Sequence, residues 1–381
     1  MGGLTAACLL RDLGLDVDVY ERSPAELEER GAGIGFLPMS ARYLVERAGI
    51  DLDDISVATS HIRYLDRAGR VVHDAAQAYR FSSWNTVYRR LLGCFGRDRY
   101  RLGHEMHAFA ADDDGVTIRF TNGTSVEVDL MVAADGVGST TRTALLPDAA
   151  PRYAGYVAWR GTVPEADLDA GVAACLADAI TYHVGANTHI LVYPIPGPAG
   201  EVELGRRLVN VVWYRNYAAG ADLADLLTDT AGRPHEISMP PGAVRPEHVA
   251  EMRAVATARL PPLVAGVVKA IERPFVQVIF DLEVTRMAFG RVALVGDAAF
   301  AVRPHAAAGT AKAAADGWAL AAALAGGTDI EAALRQWEAG QLALGRQLLE
   351  RTRRIGTRSQ VAGDWEPGDP ELIFGLYGPG R

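Results

Sequence analysis

The sequence opens Met1-Gly2-Gly3-Leu4 on a run of helical periodicity, and an acid, Glu21, ends the alternating run that follows, 18 residues after Gly3. Glycines at a helix start let a pyrophosphate approach the free backbone N–H groups, and an acid about 20 residues later can accept from a ribose hydroxyl. A second stretch, Val132-Ala133-Ala134-Asp135-Gly136-Val137-Gly138-Ser139-Thr140-Thr141-Arg142, puts Asp-Gly directly after an apolar run. A third puts Gly296-Asp297 after another, then continues through Arg303-Pro304-His305 to Gly309 and Asp316. Ligands of open α/β sheets sit at the carboxyl ends of strands, where both acids fall. The helix start near residues 308–310 suits a ring that becomes anionic. Each stretch alone has a plainer reading: an exposed acid after a strand, a turn with Arg142 on a solvated helix, a connecting loop. Their occurrence together favours binding.

The elements that must hold these groups can be read from periodicity. Residues 4–13 repeat as a helix with Gly14 at its C-cap, and residues 16–21 alternate as a strand. Residues 116–120 and 125–128 read as a hairpin turning at Asn122-Gly123. Residues 130–134 and 292–295 are continuous apolar runs, as expected of strands buried on both faces. From 153 to 282 the texture changes to short strands (153–162, 190–194, 208–214, 275–280) with helices around 223–230 and 245–255. Long alanine-rich helices follow at 308–324 and 330–354, and the Gly- and Pro-rich tail after Gly363 reads as a loose strap. The fold class is α/β: a Rossmann-like part, an inserted and mostly antiparallel β-sheet, and C-terminal helices.

The bulk properties narrow the function. The formal net charge of −9 speaks against nucleic acid as a partner, because phosphate binding needs a basic face. The three cysteines are far apart, which suggests neither a disulfide scaffold nor a zinc site and fits a reducing cytoplasm. His104 and His107 have no third ligand, so no metal is expected. No run reaches the ~20 apolar residues of a membrane span. Only Lys269 and Lys312 are lysines, a bias that codon usage accounts for.

In this order and spacing the three stretches resemble the group A FAD-dependent aromatic monooxygenases, the para-hydroxybenzoate hydroxylase family, over residues 1 to about 349. Phe300 stands where that family usually has histidine, and Ala307 and Ala311 stand where it has glycine and asparagine. Arg303-Pro304-His305-Ala306-Ala307-Ala308-Gly309-Thr310-Ala311-Lys312, with Ser83-Trp84-Asn85-Thr86 and Val211-Val212-Trp213-Tyr214-Arg215, is similar to the 2,6-dihydroxypyridine 3-monooxygenase subfamily. The resemblance implies non-covalent FAD, with NADH or NADPH as transient reductant. Gly2, Gly3, Asp135 and Gly136 would lie at the pyrophosphate, Glu21 at the adenosine ribose, Gly296 and Asp297 at the ribityl chain, and Arg89 at the flavin. The turn from Pro304 to Gly309 would face the isoalloxazine. Its implied reaction is NAD(P)H- and O₂-consuming hydroxylation of a hydroxypyridine or phenol through a flavin C4a-hydroperoxide. His305 and Pro304 are the catalytic candidates, and Tyr193, Trp213 and Tyr214 the substrate candidates. Partners are then a small aromatic substrate and O₂, with no membrane and no nucleic acid; a homodimer is allowed. The implied domains are 1–152 and 285–325 for FAD, 153–284 for substrate, and 326–381 for the C-terminal helix and tail.

Rival readings explain less. A dehydrogenase with one Rossmann unit leaves the 135–136 and 296–297 pairs unexplained, and a flavin halogenase lacks its W-x-W-x-I-P segment and partner lysine. The family's first strand, which leads into the glycine loop, has no residues here. A natural start about ten residues upstream is therefore expected; the alternative is a non-catalytic, flavin-deficient remnant.

Overall fold

The computed structural model describes residues 1–27, 32–327 and 329–381. Its largest element is a nine-stranded sheet in the order Ser238–Met239, Phe275–Asp281, Arg152–Pro164, Leu208–Asn216, Thr188–Ile195, Ala179–Gly185, Val57–Leu65, Val71–Ser83 and Gly33–Gly35. The pairing of Ala179–Gly185 with Val57–Leu65 is parallel; the others are antiparallel. Successive side chains of a strand point to opposite faces, which divides the sheet's residues into two cores. Val157, Trp159, Ile190, Val192, Val211 and Trp213 lie under the helices Pro246–Arg259 and Pro262–Ala270. Their chain neighbours Tyr156, Ala158, Leu191, Tyr193, Val212 and Tyr214 form the other face, with Phe374 of the tail packed among them.

The rest of the β-structure is short and partly parallel. Val19–Tyr20 pairs with Tyr100–Arg101, and Met131–Ala133 pairs with Val292–Leu294. These two pieces are not bonded to each other; both line one cavity of about 1440 Å³. The helices Gly2–Asp12 and Gly309–Leu324 cross so closely that a Cβ on Gly317 would lie 3.2 Å from the backbone of Ala6. No helix of the described residues is long and apolar enough to cross a membrane.

The hairpin occurs at Val116–Phe120 and Ser125–Val128, and Gly123 supplies the positive φ, +85°, that its turn requires. Elsewhere the sequence reading needs correction. The strand expected at 16–21 is only Val19–Tyr20, because its ladder partner, Tyr100–Arg101, is itself two residues long. Val71–Ser83 was not foreseen: its first half is largely exposed and carries Ala75, Ala76, Gln77 and Ala78, so no alternation marks it. The plainer alternative of a solvated Arg142 does not hold: it is buried and donates to the carbonyls of Val137, Ala149 and Ala298 at 2.6, 3.0 and 3.2 Å. The tail is no loose strap, since Leu372, Phe374 and Leu376 are buried.

A buried ion pair fixes the end of the sheet. Glu165, just past Arg152–Pro164, accepts from Arg207 Nε at 3.0 Å and from the Gly205 N–H at 2.7 Å. Burial alone would raise the Glu165 carboxyl, but Arg207 and the Gly205 N–H outweigh it and hold it below its ordinary 4.5. A depressed folded value means that this stability is present above pH 4.5 and is lost as pH falls through the folded value. Glu165→Gln strands the Arg207 charge and is expected to cost about 3–5 kcal/mol in urea unfolding at neutral pH.

Candidate active site

The sequence-derived candidates fall into two groups that meet at the helix Gly309–Leu324. In the first, Gly3, Glu21, Asp135 and Gly136 line the 1440 Å³ cavity. Glu21 accepts from the Ser23 N–H at 2.8 Å. Asp135, past the carboxyl end of Met131–Ala133, accepts from Ser139 Oγ at 2.6 Å and from Thr141 N and Oγ1 at 3.0 Å, which shapes the turn that Gly136 enters at φ +76°. Gly2 and Gly296 share one neighbour: a Cβ on either would come within 2.9 and 3.2 Å, respectively, of the Ala313 methyl. One alanine thus draws together the start of the first helix and the end of the strand Val292–Leu294.

Gly296 donates its N–H to Asp316 at 2.8 Å, and Asp316 also accepts from Lys312 Nζ at 2.7 Å. Lys312 is 1% exposed and lies 4.9 Å from the centre of the Phe300 ring, so this lysine has a structural partner that its rarity in the sequence did not reveal. Asp297 keeps an open face although protein surrounds it. Burial raises its carboxyl, and Lys312 pulls the other way. Arg89 Nη1 donates to the Pro198 carbonyl at 2.8 Å. The donor set fits FAD, with carboxylates for ribose and ribityl hydroxyls and glycine-cleared backbone for a pyrophosphate.

The second group surrounds His305, on the turn Pro304–Ala306. Tyr156 Oη and His305 Nε2 are 2.6 Å apart. Arg303 lies 5.7 Å from the centre of the Tyr156 ring and holds Asp281 through two contacts, at 2.9 and 2.8 Å. The roles in the Tyr156–His305 bond depend on the imidazole tautomer: with the phenol as donor, Nε2 accepts and the ring proton is on Nδ1. Burial keeps the Tyr156 phenol protonated, and burial, His189 and Arg303 hold His305 neutral. His305 Nδ1 is itself buried and has no partner among the described residues. A Cβ on Gly356 would lie 2.7 Å from Tyr156 Oη and 2.8 Å from His305 Nε2, so that helix position must be glycine for the bond to form. On the far side of the turn, Ala307 is left-handed at φ +54°, and its methyl would meet a Cβ on Gly35 at 2.5 Å.

Tyr214 joins this group, with its ring centre 4.7 Å from His305. His189, which the sequence reading missed with Tyr156 and Trp365, lies 4.5 Å from Tyr214 and 5.2 Å from His305. Its Nδ1 is held by Ser359 Oγ at 2.8 Å and Gln360 Nε2 at 3.2 Å, and burial lowers its imidazole to about 3. Tyr193 shares the face but stacks on Phe81 at 4.1 Å, and burial pushes its phenol up to about 12. Trp213 does not join them. It adjoins Tyr214 in the chain and so points to the opposite face, where Nε1 donates to Thr188 Oγ1 at 2.9 Å. Register would have found His189, which pairs directly with Tyr214, but register is not written in either strand alone.

Two expectations follow. Asp297→Ala should weaken FAD binding roughly ten- to hundredfold, since lost hydrogen bonds to a charged group cost about 1.5–3 kcal/mol; fluorescence titration of the apoprotein measures it. His189, held near 3, is neutral when folded but charges at its ordinary 6.5 when unfolded. Its contribution is therefore complete above pH 6.5 and is lost as pH falls towards 3. Urea unfolding at pH 7 and pH 5.5 should show the loss, and His189→Gln should reduce the difference between the two.

Comparison with known proteins agrees with this geometry. The family described as FAD binding domain-like matches residues 153–281. The 2,6-dihydroxypyridine 3-monooxygenase of Paenarthrobacter nicotinovorans is 38% identical over 377 residues, covering 99% of this chain and 94% of that protein. An FAD-dependent urate hydroxylase of Klebsiella pneumoniae subsp. pneumoniae is 27% identical over 93% of this chain and 87% of its own. Among solved structures, 2,6-dihydroxypyridine-3-hydroxylase from Arthrobacter nicotinovorans superposes with a TM-score of 0.93 at 37% identity, covering 100% of this chain and 95% of that one. Klebsiella pneumoniae HpxO complexed with FAD and uric acid gives 0.76 at 25%, covering 97% and 88%. With a relative at this identity along nearly its whole length, and with strand-end acids and cleared glycines that suit the cofactor, the chain belongs to the family of FAD-dependent aromatic monooxygenases.

Proposed function

We propose that this chain hydroxylates a planar, oxygen-substituted nitrogen heterocycle or phenol, with a reduced nicotinamide and O₂ as co-substrates. The observation that carries the reading is His305 Nδ1, a buried ring nitrogen with no partner among the described residues, which donates when Nε2 accepts from Tyr156. A ring oxygen of the substrate would complete it. A hydrogen bond there favours the oxyanion form, which enriches the ring in electrons for attack by an electrophilic oxygen. Bound FAD supplies the redox chemistry that links nicotinamide, O₂ and ring. One oxygen atom enters the ring, the other leaves as water, and NAD(P)H is oxidised to NAD(P)⁺.

Each remaining role belongs to this chain's own groups. Tyr156 fixes the His305 tautomer by donating to Nε2, so His305 acts here as a donor rather than as a base. Pro304 sets the turn that carries it. Tyr214 and His189 offer flat apolar surface beside it and keep water out. Gly2, Gly3, Glu21, Asp135, Gly136, Gly296, Asp297 and Gly309 would hold FAD, with Arg89 at its margin; Tyr193 would border the ring site, and Trp213 is core. The division into 1–152 with 285–325, 153–284 and 326–381 goes with this assignment, as does a place in the cytoplasm. The relatives' names support the substrate class: 2,6-dihydroxypyridine, urate and 6-hydroxynicotinate are each a heteroaromatic ring bearing oxygen.

FAD-loaded protein is expected to oxidise NADH or NADPH faster in the presence of some hydroxypyridines or phenols and to release a hydroxylated product. His305→Ala should lower product formation by about 10²–10³-fold, the usual loss for one oxyanion donor, while FAD stays bound. If no aromatic compound accelerates nicotinamide oxidation, the proposal fails.

A further inference from the structure

The residues after Gly363 reach the ring site from two sides. At the near end, the Trp365 ring lies 4.9 Å from His189 at 32° and 6.2 Å from Tyr182, and its Nε1 donates to Tyr64 Oη at 3.3 Å. His189 is thus held between Trp365 and Tyr214, with its Nδ1 fixed by Ser359 and Gln360. At the far end, the Gly375 N–H donates to the Ala306 carbonyl at 3.1 Å, directly on the His305 turn. Phe374 is buried 4.5 Å from the Tyr79 ring and packs with Ala307.

The tail is tied down between these points. Arg351, 6% exposed on the long helix Ile330–Thr357, donates to the carbonyls of Gly375 at 2.7 Å, Glu371 at 3.2 Å and Ile373. Arg358 pairs with Asp369. A tail that only covered apolar surface would have no need to touch both imidazoles' supports. This one braces His189 at one end and the His305 turn at the other.

We infer that residues 364–381 are a positioning element for the hydroxylation proposed above: Trp365 sets His189, and Phe374 with Gly375 sets the His305 turn. The inference rests on that proposed reaction. When the ring is misplaced or water enters, reduced enzyme still consumes O₂, but the oxygen leaves as peroxide: NAD(P)H + H⁺ + O₂ → NAD(P)⁺ + H₂O₂. Loss of the brace should therefore change where the oxygen goes rather than whether nicotinamide is oxidised.

The test uses the full chain loaded with FAD and compares wild type with Trp365→Ala, Trp365→Phe and Phe374→Ala. Flavin content is read by absorbance, and hydroxylated product and H₂O₂ are measured per NAD(P)H consumed. Trp365→Ala should keep its flavin yet yield roughly tenfold less product per NAD(P)H, with the difference recovered as H₂O₂, and Trp365→Phe should restore most of the coupling. A second readout needs no substrate: amide hydrogen exchange across residues 301–310 should quicken in Phe374→Ala, or in Phe374→Leu if the alanine variant does not fold. Lower melting temperatures with unchanged coupling and unchanged exchange would overturn the inference. A wild-type protein that hydroxylates nothing would instead sink the proposed reaction, and the exchange result would still decide whether the tail holds the turn.

Discussion

One hydrogen bond, Tyr156 to His305, joins the two parts of the molecule that the chemistry needs. Tyr156 belongs to the strand Arg152–Pro164 of the large sheet; His305 belongs to the turn that leads into the helix Gly309–Leu324. Neither group is in water, so each needs the other: a buried phenol or imidazole nitrogen without a partner costs about 1–3 kcal/mol. The bond also has a direction. In the proposed tautomer the phenol gives its proton to the imidazole, while Arg303, anchored by Asp281, lies beside the phenol ring. Gly356 clears the space in which this happens.

Around this bond the frame is held by close approaches between backbones. Ala313 touches the positions of both Gly2 and Gly296, and Gly317 lets its own helix approach the backbone of Ala6 in the first helix. Gly345 admits the Phe300 ring, whose nearest atoms would lie 2.6 Å from a Cβ there. Packed interiors transmit displacements of this size instead of absorbing them. The position of the first helix, the strand end at Gly296 and the start of the helix after His305 are therefore set together.

Much of this was legible in the sequence, and the failures have a common cause. The apolar runs at 130–134 and 292–295 and the Asn122-Gly123 turn are local signals, and they appear as strands and a hairpin where expected. The Asp135 and Gly296-Asp297 strand ends are local too. Residues known only by what lies across a strand from them were missed: His189 faces Tyr214 through register, and Tyr156 is one strand further away. Trp213 was chosen with Tyr214 because both are large and aromatic, yet adjacent strand residues cannot share a face. The tail was misjudged by composition. Its glycines and prolines suggested looseness, while the residue that holds it, Arg351, lies in a helix that gave no hint of a partner.

The contact between Gly35 and Ala307 constrains how sequences like this one can change. Ala307 is left-handed, which costs an alanine about 1 kcal/mol or more, and its methyl fills the space that a side chain at 35 would take. One methyl fits between the two loops, on either residue but not on both. A lineage that moved it from 307 to 35 could do so in one order only. Replacing Ala307 by glycine first relieves the strain and opens the space, whereas giving position 35 a side chain first drives two backbones apart beside the His305 turn. The end state with the methyl on 35 would be free of the strain at 307, and either end state is reached from the other only through glycine at both positions: epistasis imposed by a single carbon atom.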